Sequence, residues 1–157
     1  MLANRVRMGS VKSGNLILYS YGDNSNLWEV GLSIMGGVVS KQSDHLLIEA
    51  YPEGMFDEPS ATFSTVNKID LTNIDAITML CEKTQGNRRT YLAIQNDKTS
   101  YNTILEVLAP IEPYTPSTNT VTLDVSSLVG EYYVTVGIMM SDPFSNHYAK
   151  IYEVVLE

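Results

Sequence analysis

The side chains in this sequence best able to do chemistry are its carboxylates, since acids outnumber bases by 18 Asp and Glu to 10 Lys and Arg. Two carboxylates facing each other across a cleft would suit glycoside hydrolysis. Asp57 and Glu58 are adjacent, and Glu49, Asp75 and Glu106 fall on expected strands. Sequence neighbours rarely form such a pair, and strand acids at alternate positions belong to a solvated face, so no catalytic residue is assigned. His45 and His147 stand alone, without the spacing of a metal site. His147 follows a Pro/Ser/Asn turn that places it at the surface. No Ser-His-Asp context and no Gly-rich phosphate loop occurs. Calcium prefers oxygen ligands from irregular loops. Asp23 in YGDNSN, with Asp57 and Glu58 in PEGMFDEP, and Asp142 offer them, although Asp and Asn in such segments ordinarily cap their own turns. No cofactor is expected, with calcium as the open alternative.

A second chemistry needs only surface. A sugar stacks its C–H face on an aromatic ring while its hydroxyls seek polar groups. Ten Tyr stand against three Phe and one Trp, and Trp28, Tyr51, Phe56, Tyr101 and Tyr114 lie in or beside expected loops. Trp28, Tyr51 and Tyr114 are the candidate ligand-binding rings. For Trp28 the spacing of Leu27, Val30 and Leu32 favours packing in the core or over an edge. Tyr114, between Pro113 and Pro116, is the ring most expected to be exposed.

Charge narrows the partners. The net charge of -8 argues against nucleic acid, which needs clustered Lys and Arg. The first fourteen residues are the exception, holding Arg5, Arg7 and Lys12 without an acid. Arg5 and Arg7 can make charge-assisted bonds to an acidic neighbour, and Val6 and Met8 can anchor apolar contacts. Residues 1–14 are therefore read as a docking arm and 15–157 as the folded domain. No segment approaches the ~18 apolar residues of a membrane span, and none resembles a signal peptide. Cys81, the single cysteine, lies in AITMLC and reads as a buried, inert thiol.

The elements that must position these residues are extended. Only 18% of residues are charged, and the dominant period is two. In EYYVTVGIMM, Tyr132, Val134, Val136, Ile138 and Met140 share a core face, while Tyr133, Thr135, Gly137 and Met139 share a part-solvated one. TVTLDV alternates likewise, and KIYEVVLE sets Tyr152, Val154 and Leu156 against Ile151, Glu153 and Val155. Further strands are expected in NLILYS, GGVVSK, HLLIEA, ATFSTV, AITMLC, TYLAIQ and ILEVLA, between turns rich in Gly, Pro, Asn and Asp. Helices should be limited to single turns.

Two segments echo each other. KIDLTNIDAITM and TLDVSSLVGEYYV both run apolar-Asp-apolar, a hydroxyl residue, a polar residue, an apolar plug and then a strand. Thr72 or Ser126 can bond local backbone while Ile74 or Leu128 returns to the core. Such corners carry a chain between two sheets, so the expected fold is all-β, a jelly-roll β-sandwich of two antiparallel sheets.

With the terminal AKIYEVVLE and the opening ANRVRMG, these segments resemble a jelly-roll domain of phage and prophage structural proteins from Gram-positive anaerobe hosts. That group is similar in architecture to galactose-binding-like and other carbohydrate-binding jelly rolls. The resemblance implies a non-enzymatic virion component of tail, fibre or capsid surface, partnered by other virion proteins and built as a homo-oligomer. The alternative it implies is a carbohydrate-binding module recognising host-surface glycans.

Overall fold

The computed structural model describes residues 11–12, 15–52, 58–83, 89–99, 102–110, 117–139 and 146–157. Arg5, Val6, Arg7 and Met8 of the docking arm, the ring of Tyr114, and Asp57 lie outside them, as do Phe56, Tyr101 and Asp142, whereas Val11 and Lys12 of the arm lie within them.

The described residues form thirteen strands and one 3-10 turn, Ser25–Leu27. The strands are β1 (Val11–Lys12), β2 (Asn15–Ser20), β3 (Trp28–Ile34), β4 (Gly37–Lys41), β5 (Leu46–Ala50), β6 (Ser60–Thr65) and β7 (Ile69–Asp70). They continue as β8 (Ala76–Lys83), β9 (Thr90–Gln95), β10 (Thr103–Leu108), β11 (Ser117–Asp124), β12 (Glu131–Met139) and β13 (His147–Leu156). Seven make one antiparallel sheet, with β13 in its middle against β8 on one side and β2 and β5 on the other; β11 lies beyond β8. The second sheet runs β10-β9-β12-β6-β3, with β7 added to β12. Together they are the expected sandwich.

Between the sheets the alternating apolar residues meet: Leu46 and Ile48 from β5, Ile77 and Met79 from β8, Leu92 and Ile94 from β9, and Val134, Val136 and Ile138 from β12. Trp28 joins this core, fully buried, and its Nε1–H donates to the Leu18 carbonyl at 3.1 Å. Val30 does not follow it inward and is exposed. A register shift between Val30 and Ser33 breaks the alternation along β3.

Both echo segments cross between sheets, one from β7 to β8 and the other from β11 to β12. In each, the aspartate is the local acceptor: Asp70 takes the Thr72 N–H at 2.9 Å, and Asp124 takes the Ser126 N–H at 3.0 Å and its hydroxyl at 2.6 Å. These bonds from Ser126 hold the Asp124 carboxyl below its ordinary pKa. Thr72 bonds farther afield, its Oγ1 accepting the Gly130 N–H at 3.0 Å, while Gly130 returns its carbonyl to the Leu71 N–H at 2.9 Å. The two corners are thus stitched together, and Ile74 and Leu128 pack against the core as plugs.

His147 corrects the sequence reading. It begins β13 opposite Ala50 and shares the inward phase of Ala149 and Ile151, so it is buried at 6% exposure instead of sitting at the surface. The outer face of the second sheet is also drier than its alternation suggests. Thr135 and Gly137 are buried there with Ser60, Thr62, Ser64 and Gln95. The chain following β9 folds across this face, bringing the Lys98 carbonyl so close to Gly31 that a β-carbon there would lie 2.9 Å from it. Beneath it the hydroxyls satisfy one another: Thr135 donates to Gln95 Oε1 at 3.0 Å and accepts from Ser64 Oγ at 2.7 Å. Gly137 lets the Tyr91 ring lie over β12, since a β-carbon would meet the ring at 2.8 Å.

Burial gives the core a pH signature. It pushes the Cys81 thiol from its ordinary 9.0 up to about 11, against the weaker opposing pull of Lys83, and pushes the Tyr19 phenol up to about 12. Both groups hold their protons longer when folded than when unfolded. Their contribution to stability is therefore complete below pH 9 and is lost progressively as the pH rises from 9 toward 12. Urea midpoints should be level from pH 7 to 9 and then fall. Cys81 should resist a thiol reagent at pH 8 until urea unfolds the chain; rapid labelling of the native protein would contradict this burial.

Candidate functional site

With the second sheet roofed by its own chain, the outer face of the seven-stranded sheet is where side chains gather in the open. Strand β13 supplies its centre. Tyr148, Lys150 and Tyr152 alternate with the inward His147, Ala149 and Ile151. A register shift between Ile151 and Glu153 then resets the phase, so that Val154 and Leu156 point inward beyond it. This bulge corrects the grouping of Tyr152 with Val154 and Leu156: an extra residue lets both Ile151 and Val154 face the core and leaves Tyr152 outside. Glu49 of β5 stands opposite Tyr148, and Glu82 of β8 opposite Lys150.

Glu82 organises the face. Its Oε1 accepts the Tyr148 hydroxyl at 3.1 Å and lies 3.4 Å from Lys150 Nζ, while its Oε2 accepts the Tyr152 hydroxyl at 3.4 Å. Lys150 also sits 5.2 Å from the Tyr148 ring centre. The Tyr152 ring continues the surface to Tyr21 at 5.7 Å and to His45 at 5.8 Å, centre to centre. At the other end the Tyr51 hydroxyl donates to Glu49. Partial burial and Glu82 hold the Tyr148 and Tyr152 phenols above their ordinary pKa. Burial pulls the Lys150 ammonium the other way, but the Glu82 carboxylate prevails and raises it. The phenols stay neutral and the ammonium stays charged at neutral pH. The face therefore offers flat rings, hydroxyl groups, a carboxylate and a cation.

Among the sequence candidates, Tyr51 reaches this face and is 39% exposed. Trp28 does not, and its reading as a ligand-binding ring is corrected by its burial and its bond to Leu18. The calcium assignment finds no support among the described residues. Asp23 pairs with Ser20 in a turn, Glu58 is exposed, and no group of three or more His, Cys, Asp or Glu is drawn together. The acids considered for hydrolysis are otherwise employed: Glu106 takes two bonds from Arg89 at 2.9 and 3.2 Å, and Glu49 accepts from Tyr51. Tyr148, Tyr152, Tyr21 and Glu82 escaped notice in the sequence. Their signal was the Tyr-x-Lys-x-Tyr alternation at 148–152, opposite an inward His-x-Ala-x-Ile.

The fold and face define a class, an antiparallel jelly-roll sandwich presenting an aromatic, charged sheet surface. No protein-family model and no curated protein matches the sequence. Solved structures do match in fold. A family 29 carbohydrate-binding module superposes with a TM-score of 0.55 over 91% of both chains at 10% identity. The family 29 module from Piromyces equi gives 0.53 over 90% of this chain and 88% of its own, at 10% identity. A low-affinity xylan-binding module from the gut symbiont Roseburia intestinalis gives 0.55 over 91% and 94%, at 14% identity.

Proposed function

We propose that this chain is a non-catalytic carbohydrate-binding module whose ligand lies along the Tyr148–Tyr152 face. The observation that carries the reading is the convergence of two tyrosine hydroxyls and Lys150 on Glu82 at an open sheet surface. The rings are pre-oriented, so little side-chain freedom is lost on binding. Tyr148 and Tyr152 are four residues apart, about 13 Å along an extended strand. Their hydroxyls converge on the one Glu82 carboxylate, so the two rings form a single compact platform. Fold neighbours that bind carbohydrate support the reading, and ligand recognition in the family 29 module has been probed at an arginine, a lysine, an aspartate and a tyrosine.

A glycan array followed by calorimetry with the best oligosaccharide tests it. The wild type should bind, and Tyr148→Ala or Tyr152→Ala should each weaken binding at least about tenfold, as expected when a stacking ring worth roughly 1.4 kcal/mol is removed. Absence of any glycan binding, or indifference to both substitutions, defeats the proposal.

A second reading, favoured by the phage-like sequence segments and the basic arm, places this module in a virion, where host-surface glycan binding would serve attachment. Its partners would be other virion proteins contacted through Arg5, Val6, Arg7 and Met8. Mass spectrometry of purified particles should find the chain in fixed proportion to the major structural proteins. Deleting residues 1–12 should abolish incorporation while leaving the sandwich folded, and normal incorporation of the truncated chain would refute the docking role.

A further inference from the structure

Among the described residues, strand β11 is an open sheet edge of a kind that the other edges avoid. Among the described residues it pairs only with β8, over eight residues in unbroken register. Edge strands are usually protected by bulges, charges or shortness. Here β3 and β10 both carry register shifts, β10 also carries the Arg89–Glu106 ion pair, β4 has five residues ending in Lys41, and β1 has two. By contrast β11 reads Ser-Thr-Asn-Thr-Val-Thr-Leu-Asp, without proline or lysine and with its one charge at the last position.

The backbone direction is fixed by one bond. Val125 N–H donates to the Asp75 carbonyl at 2.9 Å, toward the β8 side. Backbone groups alternate sides along an antiparallel strand. Asp124, Thr122, Thr120 and Thr118 therefore turn their N–H and C=O groups toward the open edge. The same three threonines place their side chains on the outer face, opposite the inward Val121 and Leu123.

We infer that two copies of this chain pair antiparallel through β11, about a two-fold axis at Thr120. In that register Thr120 faces its own counterpart and Thr118 faces the partner copy's residue 122. All three threonine pairs fall at hydrogen-bonded positions of the new ladder. Threonine–threonine pairs are favourable cross-strand neighbours. The two Asp124 carboxylates end at opposite ends of the interface and do not repel. No other register centred on this strand matches threonine to threonine throughout, which argues for a second copy rather than an unrelated strand.

Pairing makes one fourteen-stranded sheet from two seven-stranded ones. Resting on the carbohydrate reading, this carries a consequence for binding. Five strand spacings separate the two β13 strands, about 24 Å at ~4.8 Å each. A twist of roughly 20–25° per step splays the two tyrosine faces apart. A dimer would then grip two neighbouring glycan chains instead of one, gaining avidity on an arrayed surface and none for a free oligosaccharide.

Sedimentation equilibrium and glycan binding, measured on the wild type, Thr120→Pro and Thr120→Lys, test the inference. Thr120→Pro removes an edge-facing donor and leaves the β8 ladder intact, while Thr120→Lys sets two cations face to face. Expected is a wild type at twice the 17.4 kDa chain mass, with both variants at the single mass, unchanged affinity for soluble oligosaccharide and at least tenfold weaker binding to an immobilised glycan. A monomeric wild type overturns the pairing, as does a dimer that survives both substitutions. Should Thr120→Pro fail to fold, Thr120→Lys alone decides. Loss of the dimer in a protein that binds no glycan would uphold the pairing and remove only the carbohydrate reading.

Discussion

Trp28→Ala should lower the stability of the sandwich by about 3–5 kcal/mol, the usual cost of truncating a large aromatic side chain in a core. Trp28 is fully buried at the start of β3, and its indole N–H donates to the Leu18 carbonyl on β2. It thereby links an edge of one sheet to the other sheet. Alanine leaves both a cavity and an acceptor stripped of its donor. A domain of this size has roughly 5–15 kcal/mol in total, so the variant should be folded but fragile, with a lower urea midpoint and an unchanged slope. Trp28→Phe fills most of the cavity and should recover most of the loss, leaving about 1–3 kcal/mol for the missing hydrogen bond. A cost below 1 kcal/mol for the alanine variant would contradict the core assignment. The folded fraction of either variant should bind glycan as the wild type does, which separates a core tryptophan from a ligand-binding one.

Glu82→Ala should do the reverse, leaving stability nearly intact and weakening glycan binding ten- to a hundredfold. The carboxylate is part-exposed, and ion pairs such as Glu82–Lys150 contribute about 0–1 kcal/mol to folding. Its value lies in holding three partners in one arrangement. Without it the Tyr148 and Tyr152 hydroxyls lose their shared acceptor, and the rings regain the freedom that binding must remove. That regained freedom, about 0.5–1.5 kcal/mol for each side chain that binding must immobilise, sets the scale. The pH profile gives an independent check. Burial and Glu82 raise both phenol pKa values, so wild-type binding should persist as the pH passes the ordinary tyrosine value of 10.0. In Glu82→Gln the alkaline limb should move down toward that value, because the negative charge that resists phenolate formation is gone. Isothermal titration of both variants from pH 7 to 11 measures affinity and limb together. Unaltered affinity in Glu82→Ala would remove Glu82 from the site.

The contrast between these substitutions follows what the sequence made legible. Alternation reveals a strand wherever one face is dry, and it located β2, β5, β8 and β11 through the inward runs of Leu, Ile, Met and Val. The paired Asp-x-Thr and Asp-x-Ser corners were equally plain, because a turn closed by its own side chains needs no distant partner. The functional face was not plain. Its residues depend on a one-residue bulge in β13, and a bulge is set by registers with β2, β5 and β8, which no local pattern reports. His147 was misjudged for a related reason: turn residues precede it, yet its pairing with Ala50 decides its phase. The dry outer face of β12 depends on Lys98, nearly forty positions upstream of Thr135. Each of these outcomes is written in contacts between strands far apart in the chain.

The position of β13 also bears on how the molecule is made. It is the last strand of the sandwich and the middle strand of the larger sheet, and the backbone of Glu157 beyond it bonds to Asp75 and Ala76 at the first corner. A ribosome delivers it after every strand it must separate. Until then β2, β5 and β8 have edges with nothing between them, and their inward faces wait on a partner not yet synthesised. The larger sheet therefore closes only once the ten-residue β13 has been made and inserts between strands already present, whereas every strand of the second sheet precedes it.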